Sequence, residues 1–327
     1  MKKIYTCIVF VLVMMGSVSF AQDPHFSQYY ANPLYLNPAF AGTALCPRVI
    51  LNFRDQWPSI RGTYVTYNAS YDQHIEKLSG GIGVLLNTDR AGEGILNTTT
   101  VSFMYSFRLE VNRSFSMKLA LQAAYFQKHL DWSKLTFPDM IDKRHGFVFN
   151  TNEVPPSRLT KRNADFAAGI LGYGENYFVG FAAHHLTMPD EGFISKSRMP
   201  IKFTVHAGGI INLVKKVRRR SNDHTPTLSP NILFMQQQNF QQINYGLYFN
   251  RYPFVGGLWF RQNFKNSDAI IFMVGLQVSM FKVGYSYDLT VSKLTNATGG
   301  AHEVSFALQF NCKPPSKRVR AINCPSF

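Results

Sequence analysis

Apolar and polar residues alternate along most of this chain, in runs of about ten residues separated by turn residues. The segment FKVGYSYDL is the clearest case. Phe281, Val283, Tyr285, Tyr287 and Leu289 fall on one face, and Lys282, Gly284, Ser286 and Asp288 on the other. VSFMYSF places Val101, Phe103, Tyr105 and Phe107 on one side. HEVSFALQF turns Val304, Phe306, Leu308 and Phe310 outward, with Glu303, Ser305 and Gln309 inward. Successive side chains of a strand point to opposite faces. A chain that repeats this pattern many times, with aromatics on the apolar face, predicts an all-β fold. The form is a transmembrane antiparallel β-barrel of about 14 strands. The strands are expected near 46–56, 63–73, 80–88, 97–109, 114–127, 163–173, 176–187, 201–213, 228–238, 241–250, 253–264, 268–278, 280–290 and 301–311.

An even strand count puts both chain ends on the periplasmic side. The connections 128–162, 188–200 and 291–300 then face outward, and Gly174-Glu175-Asn176 is a short periplasmic turn. Phe137-Pro138-Asp139 reads as a turn within the longest outer connection.

Residues 22–44 break the alternation. They contain Pro24, Pro33 and Pro38 among many aromatics. Proline at this density excludes a central strand. The segment is too apolar for a free tail, so it is expected in the barrel lumen or against the periplasmic rim. Ahead of it, Lys2 and Lys3 precede a short apolar run from Ile4 to Val18, and Ser19-Phe20-Ala21 forms a small-x-small site before Gln22. This reads as a signal peptide cut between Ala21 and Gln22. Its apolar run is shorter than the ~20 residues a spanning helix needs. Cys7 lies early in that run and leaves with the leader. The expected organisation is a leader over 1–21, a plug-like segment over 22–44, a barrel over 45–311 and a basic periplasmic tail over 312–327.

Aromatics make up 14% of the chain, a content that suits the interface girdles of a barrel. Lys and Arg number 34 against 19 Asp and Glu, giving a formal charge of +15. An exported chain does not meet nucleic acid, so the excess points to acidic proteins or lipid phosphates. Much of it sits in two clusters. One holds Lys215, Lys216, Arg218, Arg219 and Arg220, and the other, near the C terminus, holds Lys317, Arg318 and Arg320. On the periplasmic side they form a candidate docking surface; the plain alternative is two solvated segments. After leader removal Cys46, Cys312 and Cys324 remain. Export permits one bridge among them. Cys46 opens the first strand and Cys312 closes the last, so all three fall near the closing seam.

Catalytic and metal chemistry find little support. His184 and His185 are adjacent in a strand and point to opposite faces, so they cannot chelate one metal. With Asp190 and Glu191 they form at most a polar cluster at a strand end. The chain has no nucleophile elbow, HExxH, phosphate loop or paired-cysteine metal spacing. No cofactor is expected. Arg54 and Gln56 point inward at the end of the first strand, Trp57 suits the aromatic girdle, and Glu303 beside His302 suits a luminal ion pair with an inward Lys or Arg.

Several segments, in this order and spacing, resemble the PorP/SprF family of Bacteroidetes outer-membrane proteins of type IX secretion and gliding motility. They are QDPHFSQYYANPLYLNPAFAG from Gln22, LNFRDQWP from Leu51, TFPDMID from Thr136, HHLTMP from His184, GYSYDLTVSKL from Gly284, GGAHEVSF from Gly299 and RVRAINCPSF from Arg318. The motif positions are Asn37, Pro38, Arg54, Gln56, Trp57, Phe137, Pro138, Asp139, His184, Pro189, Tyr287, Asp288, His302 and Glu303. The NPAF element also looks like the NPA element of fatty-acid-transporter-like barrels, which agrees with fourteen strands around a tucked N-terminal segment. The resemblance implies a non-enzymatic accessory of secretion, set in outer-membrane lipids. Its implied partners are the periplasmic ring lipoprotein, peptidoglycan-tethering proteins and a large secreted adhesin. The competing readings are a porin or hydrophobic-solute channel, and a surface enzyme.

Overall fold

The computed structural model describes residues 23–44, 46–60, 62–112, 114–142, 144–214, 225–264, 266–292 and 299–312. Ala21, Gln22, the cluster from Lys215 to Arg220, Lys317, Arg318, Arg320 and Cys324 lie outside them.

The alternating segments form fourteen wall strands. They are β1 (Arg48–Gln56), β2 (Tyr64–Ile75), β3 (Gly80–Ala91), β4 (Leu96–Glu110), β5 (Ser116–Leu130), β6 (Thr160–Tyr173) and β7 (Tyr177–His184). Then follow β8 (Lys202–Gly209), β9 (Thr227–Gln237), β10 (Phe240–Arg251), β11 (Phe254–Asn263), β12 (Ser267–Val278), β13 (Phe281–Thr290) and β14 (Ala301–Gln309). Each pairs antiparallel with its neighbours in sequence, and β1 pairs with β14 from Arg48↔Gln309 to Gln56↔Ala301. That seam closes the wall sheet, so among the described residues the wall has no open edge for another chain to extend. A two-residue continuation of β8, Ile211–Asn212, rejoins β9 beyond Pro230, which brings no N–H to the ladder.

Alternation sets the two faces of the wall. Phe103, Leu121, Val274, Phe281 and Tyr285 are exposed on the outside, whereas Asn52, Asn68, Ser102, Asn244 and Ser286 are buried inside. Outward apolar and inward polar faces are what lipid on one side and a polar lumen on the other select. Among the described residues no helix is long and apolar enough to cross a membrane. One end of the barrel carries the long connections 131–159, 185–201 and 291–300 along with short turns; at the other lie short turns such as 76–79, 174–176 and 279–280. The connection between β8 and β9, also at the short-turn end, is the long exception.

The hydrophobic core sits in the lumen. Residues 23–44 run from the long-connection end, where Asp23 lies near the end of β9, to the short-turn end, where Gln309 Nε2 donates to Ala44 O at 3.2 Å. Proline keeps this segment out of any ladder and instead starts tight turns: Pro33 opens the helical turn Pro33–Leu36 and Pro38 opens the 3₁₀ turn Pro38–Phe40. Leu34, Ala39, Phe40 and Ala41 are wholly buried against inward side chains such as Leu85, Leu171, Leu233 and Trp259. Tyr30 meets the Phe178 ring at 5.5 Å and Tyr29 meets Trp259 at 5.6 Å. Such offset and edge-on pairs add to the burial of their rings.

Two glycines allow the backbones to touch. Gly42 has φ +65°, and a side chain on Gly81 of β3 would strike the Ala41 carbonyl and the Gly42 Cα. Just below, Cys46 and Cys312 are joined by a disulfide, with Cα atoms 5.5 Å apart, across the seam.

A luminal clamp and an adjoining cup

The barrel register brings charged inward side chains onto the N-terminal segment. Arg54 and Glu303 are direct partners across the seam, and Asp288 lies on the next strand. Arg54 donates to Glu303 Oε2 at 3.2 Å and to Asp288 Oδ2 at 3.0 Å. Arg261 reaches Asp288 at 2.8 Å and Asp268 at 2.5 Å. Ser27 and Gln28 close this network. Their backbone N–H groups donate to the two Glu303 carboxylate oxygens at 2.6 and 3.1 Å, and the Ser27 hydroxyl donates to Asp288 Oδ2 at 2.5 Å. Arg54, Asp288 and Glu303 are buried almost completely. Ions taken out of water are tolerable only when each is paired and hydrogen-bonded, and here the plug backbone supplies part of that pairing.

A second contact set holds the Asn37-Pro38 element. Asn37 Oδ1 accepts from Ala39 N at 2.9 Å and caps the turn. Its Nδ2 donates to the carbonyls of Ile170 and Phe181 at 3.1 and 3.2 Å and lies 3.2 Å from His206 Nε2. Any side chain on Gly169 would collide with Asn37 Oδ1. Further along, Ser106 Oγ donates to Ala41 O at 2.7 Å, Lys118 Nζ donates to the same carbonyl, and Gly42 N donates to Asp72 Oδ2 at 2.9 Å. Asp72 is also paired with Arg48 at 2.8 Å.

A third set ties down Asp23 at the long-connection end. Its Oδ2 lies 2.8 Å from His185 Nε2 and 2.8 Å from Lys202 Nζ, while His185 Nδ1 meets Asp165 Oδ2 at 2.7 Å. Burial disfavours the charged imidazole, but the Asp23 and Asp165 carboxylates outweigh it and push His185 up to about 9. His185 sits just past β7 with φ +59°, which ends the strand earlier than its alternation predicts.

The expected cluster of His184, His185, Asp190 and Glu191 therefore divides. His184 turns toward Leu36 O at 3.4 Å. Glu191 accepts from Lys128 Nζ at 2.6 Å, and Asp190 accepts from the backbone of Gly192 and Ser197 within its own loop. Pro189 O accepts from Met199 N at 2.9 Å in the same loop. Gln56 Oε1 receives Arg54 at 3.4 Å. Trp57, expected in the lipid-facing girdle, instead leaves β1 with φ +63°, packs edge-on against Tyr64 and lines the luminal mouth. Tyr287 packs on the His302 ring at 5.0 Å, between β13 and β14. Phe137 contacts Trp132 at 5.0 Å, and Pro138 opens a 3₁₀ turn rather than a simple reverse turn. Asp139 in that turn accepts from Thr151 Oγ1 at 3.0 Å and Asn152 N at 2.7 Å, which organises the long connection. Alternation marks Arg54, Asp288 and Glu303 as inward groups, and Asp165 and Lys202 with them; it carries no signal for Ser27, Gln28 or Asp23, which lie in the segment that does not alternate.

Beside the segment, between it and the inner faces of β2 to β6, lies a cavity of about 590 Å³. Its walls carry Thr66, Asn87, Asp89, Thr98, Thr100, Ser102, Gln122 and Lys128, and its mouth carries Trp57, Tyr64 and Glu191. Among the described residues no group of three or more His, Cys, Asp or Glu side chains is arranged to hold a metal ion.

A family model described as "Type IX secretion system membrane protein PorP/SprF" matches residues 18–308. No curated protein matches the chain. Among solved structures the Ralstonia pickettii toluene transporter TbuX is similar, with TM-score 0.51 and 11% identity over 85% of this chain and 93% of that one. That likeness bears on the barrel fold alone. A Pseudomonas aeruginosa FadL homologue covers 91% of this chain and 97% of its own at 11% identity, with TM-score 0.42.

Proposed function

Because the chain belongs to the PorP/SprF family of type IX secretion system membrane proteins, we propose that it is an integral outer-membrane accessory of the secretion and gliding machinery. In this role it anchors the periplasmic ring, or supports export and surface attachment of a large adhesin. The observation that carries the reading is the clamped N-terminal segment. A lumen occupied by buried residues and tied through Arg54, Asp288 and Glu303 suits a rigid anchor more than an open conduit.

Barrels of this type keep short turns in the periplasm and long connections outside. On that orientation the connection carrying Lys215, Lys216, Arg218, Arg219 and Arg220 faces the periplasm, as does the tail with Lys317, Arg318 and Arg320. These basic segments are the proposed contacts for the ring lipoprotein and peptidoglycan-tethering proteins. The connection 131–159, ordered by Asp139, is the proposed outer contact for cargo. The leader is removed between Ala21 and Gln22 before the segment seats.

Deletion of the gene, followed by comparison of all secreted and displayed proteins, tests the role. Loss of all type IX cargo fits a general component docked on the ring. Loss of one large adhesin fits a dedicated attachment partner. An unchanged surface and medium overturns both and favours a channel. That second reading draws on the polar cavity beside the segment and predicts single-channel conductance by the purified protein.

A further inference from the structure

The strand register arranges the inward side chains of β2 to β5, most of which line the cavity, in rows. Thr66, Asp89, Thr98 and Lys128 are successive partners across β2 to β5, and form the row nearer the long connections. Asn68, Asn87 and Thr100 form the next row, and Ser70 and Ser102 fall in the row below. Along β4 the lining positions Thr98, Thr100 and Ser102 recur every second residue. Strand geometry separates them by about 6.7 Å, the repeat of side chains on one face of any extended peptide. Hydroxyl and amide side chains both donate and accept, which fits the alternating N–H and C=O groups of a backbone.

Several of these groups are unmet inside the barrel, Asn68 and Ser70 among them. Asn87 is 95% buried, since 5% of it is exposed, and its Nδ2 finds no hydrogen-bond partner among the described residues. Gln122 gives Nε2 to Ser102 at 3.2 Å, but its buried Oε1 likewise has no described partner. A buried amide left this way costs free energy that a hydrogen bond recovers once the side chain turns to a partner in the cavity.

The charges in the cavity are not balanced. Asp23 is held by Lys202 and His185, Asp165 by His185 and Glu191 by Lys128. Asp89 accepts only from Thr66 Oγ1 at 2.7 Å and makes no ion pair with a described residue. This carboxylate near the mouth thus has no ion-pair partner among the described residues, and stands above a ladder of groups suited to peptide amides.

We propose that this cup binds an extended polypeptide segment carrying a lysine or arginine. The backbone runs along β3 and β4 against Asn87, Thr100 and Gln122, and the basic side chain meets Asp89. The inference deepens the secretion reading and rests on it for the source of the ligand, an exported polypeptide; the chemistry of the cup stands apart from that source.

The test uses the purified full chain in detergent and two labelled, end-blocked hexapeptides. They have the same threonine- and glycine-rich sequence, with lysine or norleucine at one position. The lysine peptide is expected to bind at least about tenfold more tightly, as a charge-assisted contact provides. Asp89→Asn removes that difference, and Asn87→Leu weakens both peptides alike. Heat-modifiable gel mobility verifies that each variant keeps a folded barrel. Equal binding of the two peptides by the unaltered protein, or a preference for lysine that survives Asp89→Asn, overturns the proposal. Absent binding alongside cargo loss on gene deletion removes the cup and leaves the secretion role. Lysine-selective binding with all cargo still exported keeps the cup and removes exported polypeptide as its ligand.

Discussion

Arg54 shows how one side chain serves wall and plug together. It neutralises Asp288 and Glu303 and also donates to the Ser27 hydroxyl at 2.7 Å. Arg54→Met leaves Glu303 buried with no cation, and breaking a buried pair from one side costs about 3–5 kcal/mol. The expected outcome is a lower unfolding temperature in heat-modifiability gels, and Glu303→Gln in the same chain restores part of the loss. His185 offers a pH-dependent counterpart. Its ordinary value of 6.5 rises to about 9 in the seated state, so the protonated ring favours that state. Its contribution is fully present below 6.5 and fades as pH rises through about 9. Proteolysis of the N-terminal segment should therefore accelerate across that upper value, and His185→Gln should flatten the step. An unchanged cleavage rate across it would remove His185 as a tether.

At the level of elements, the sequence announces the wall far better than the plug. A period of two repeats locally in every strand, so β4 at Leu96–Glu110 and β14 at Ala301–Gln309 lie within two residues of their expected limits. Where a strand ends early, a local cause is visible, such as the left-handed backbone of His185 after β7. The plug carries no such period. Its contacts join Ser27 to Glu303 and Asn37 to His206 across most of the chain, and only the threading of the segment brings them together. Proline content excludes a strand but cannot say which wall groups meet the segment.

Two changes probe this fit. Gly169→Val drives a side chain into Asn37 and should unseat the Pro38–Phe40 turn, exposing the segment to protease while leaving the outer wall paired. Replacing Cys46 and Cys312 by serine removes the staple across the seam. Disulfides typically contribute about 2–4 kcal/mol, so the barrel should melt at lower temperature by gel shift, with its cargo phenotype retained.

For the whole molecule, the division of labour is between a lipid-facing wall, a filled lumen and connections at either end. If the segment is what closes the lumen, deleting residues 23–41 should raise bilayer conductance well above that of the intact protein. Equal conductance of the two would assign closure to other parts. The path of the segment has a further practical consequence. Asp23 is held beside the ends of β7 to β9 and Cys312 at the seam, and the two lie at opposite mouths of the barrel. A reporter fused ahead of Asp23 would emerge where Lys202 and His185 stand and crowd the cup, whereas one fused after Cys312 would hang from the other rim. Labels placed beside Asp23 and beside Cys312 would therefore report from opposite mouths of the barrel, and only the second would leave the lumen undisturbed.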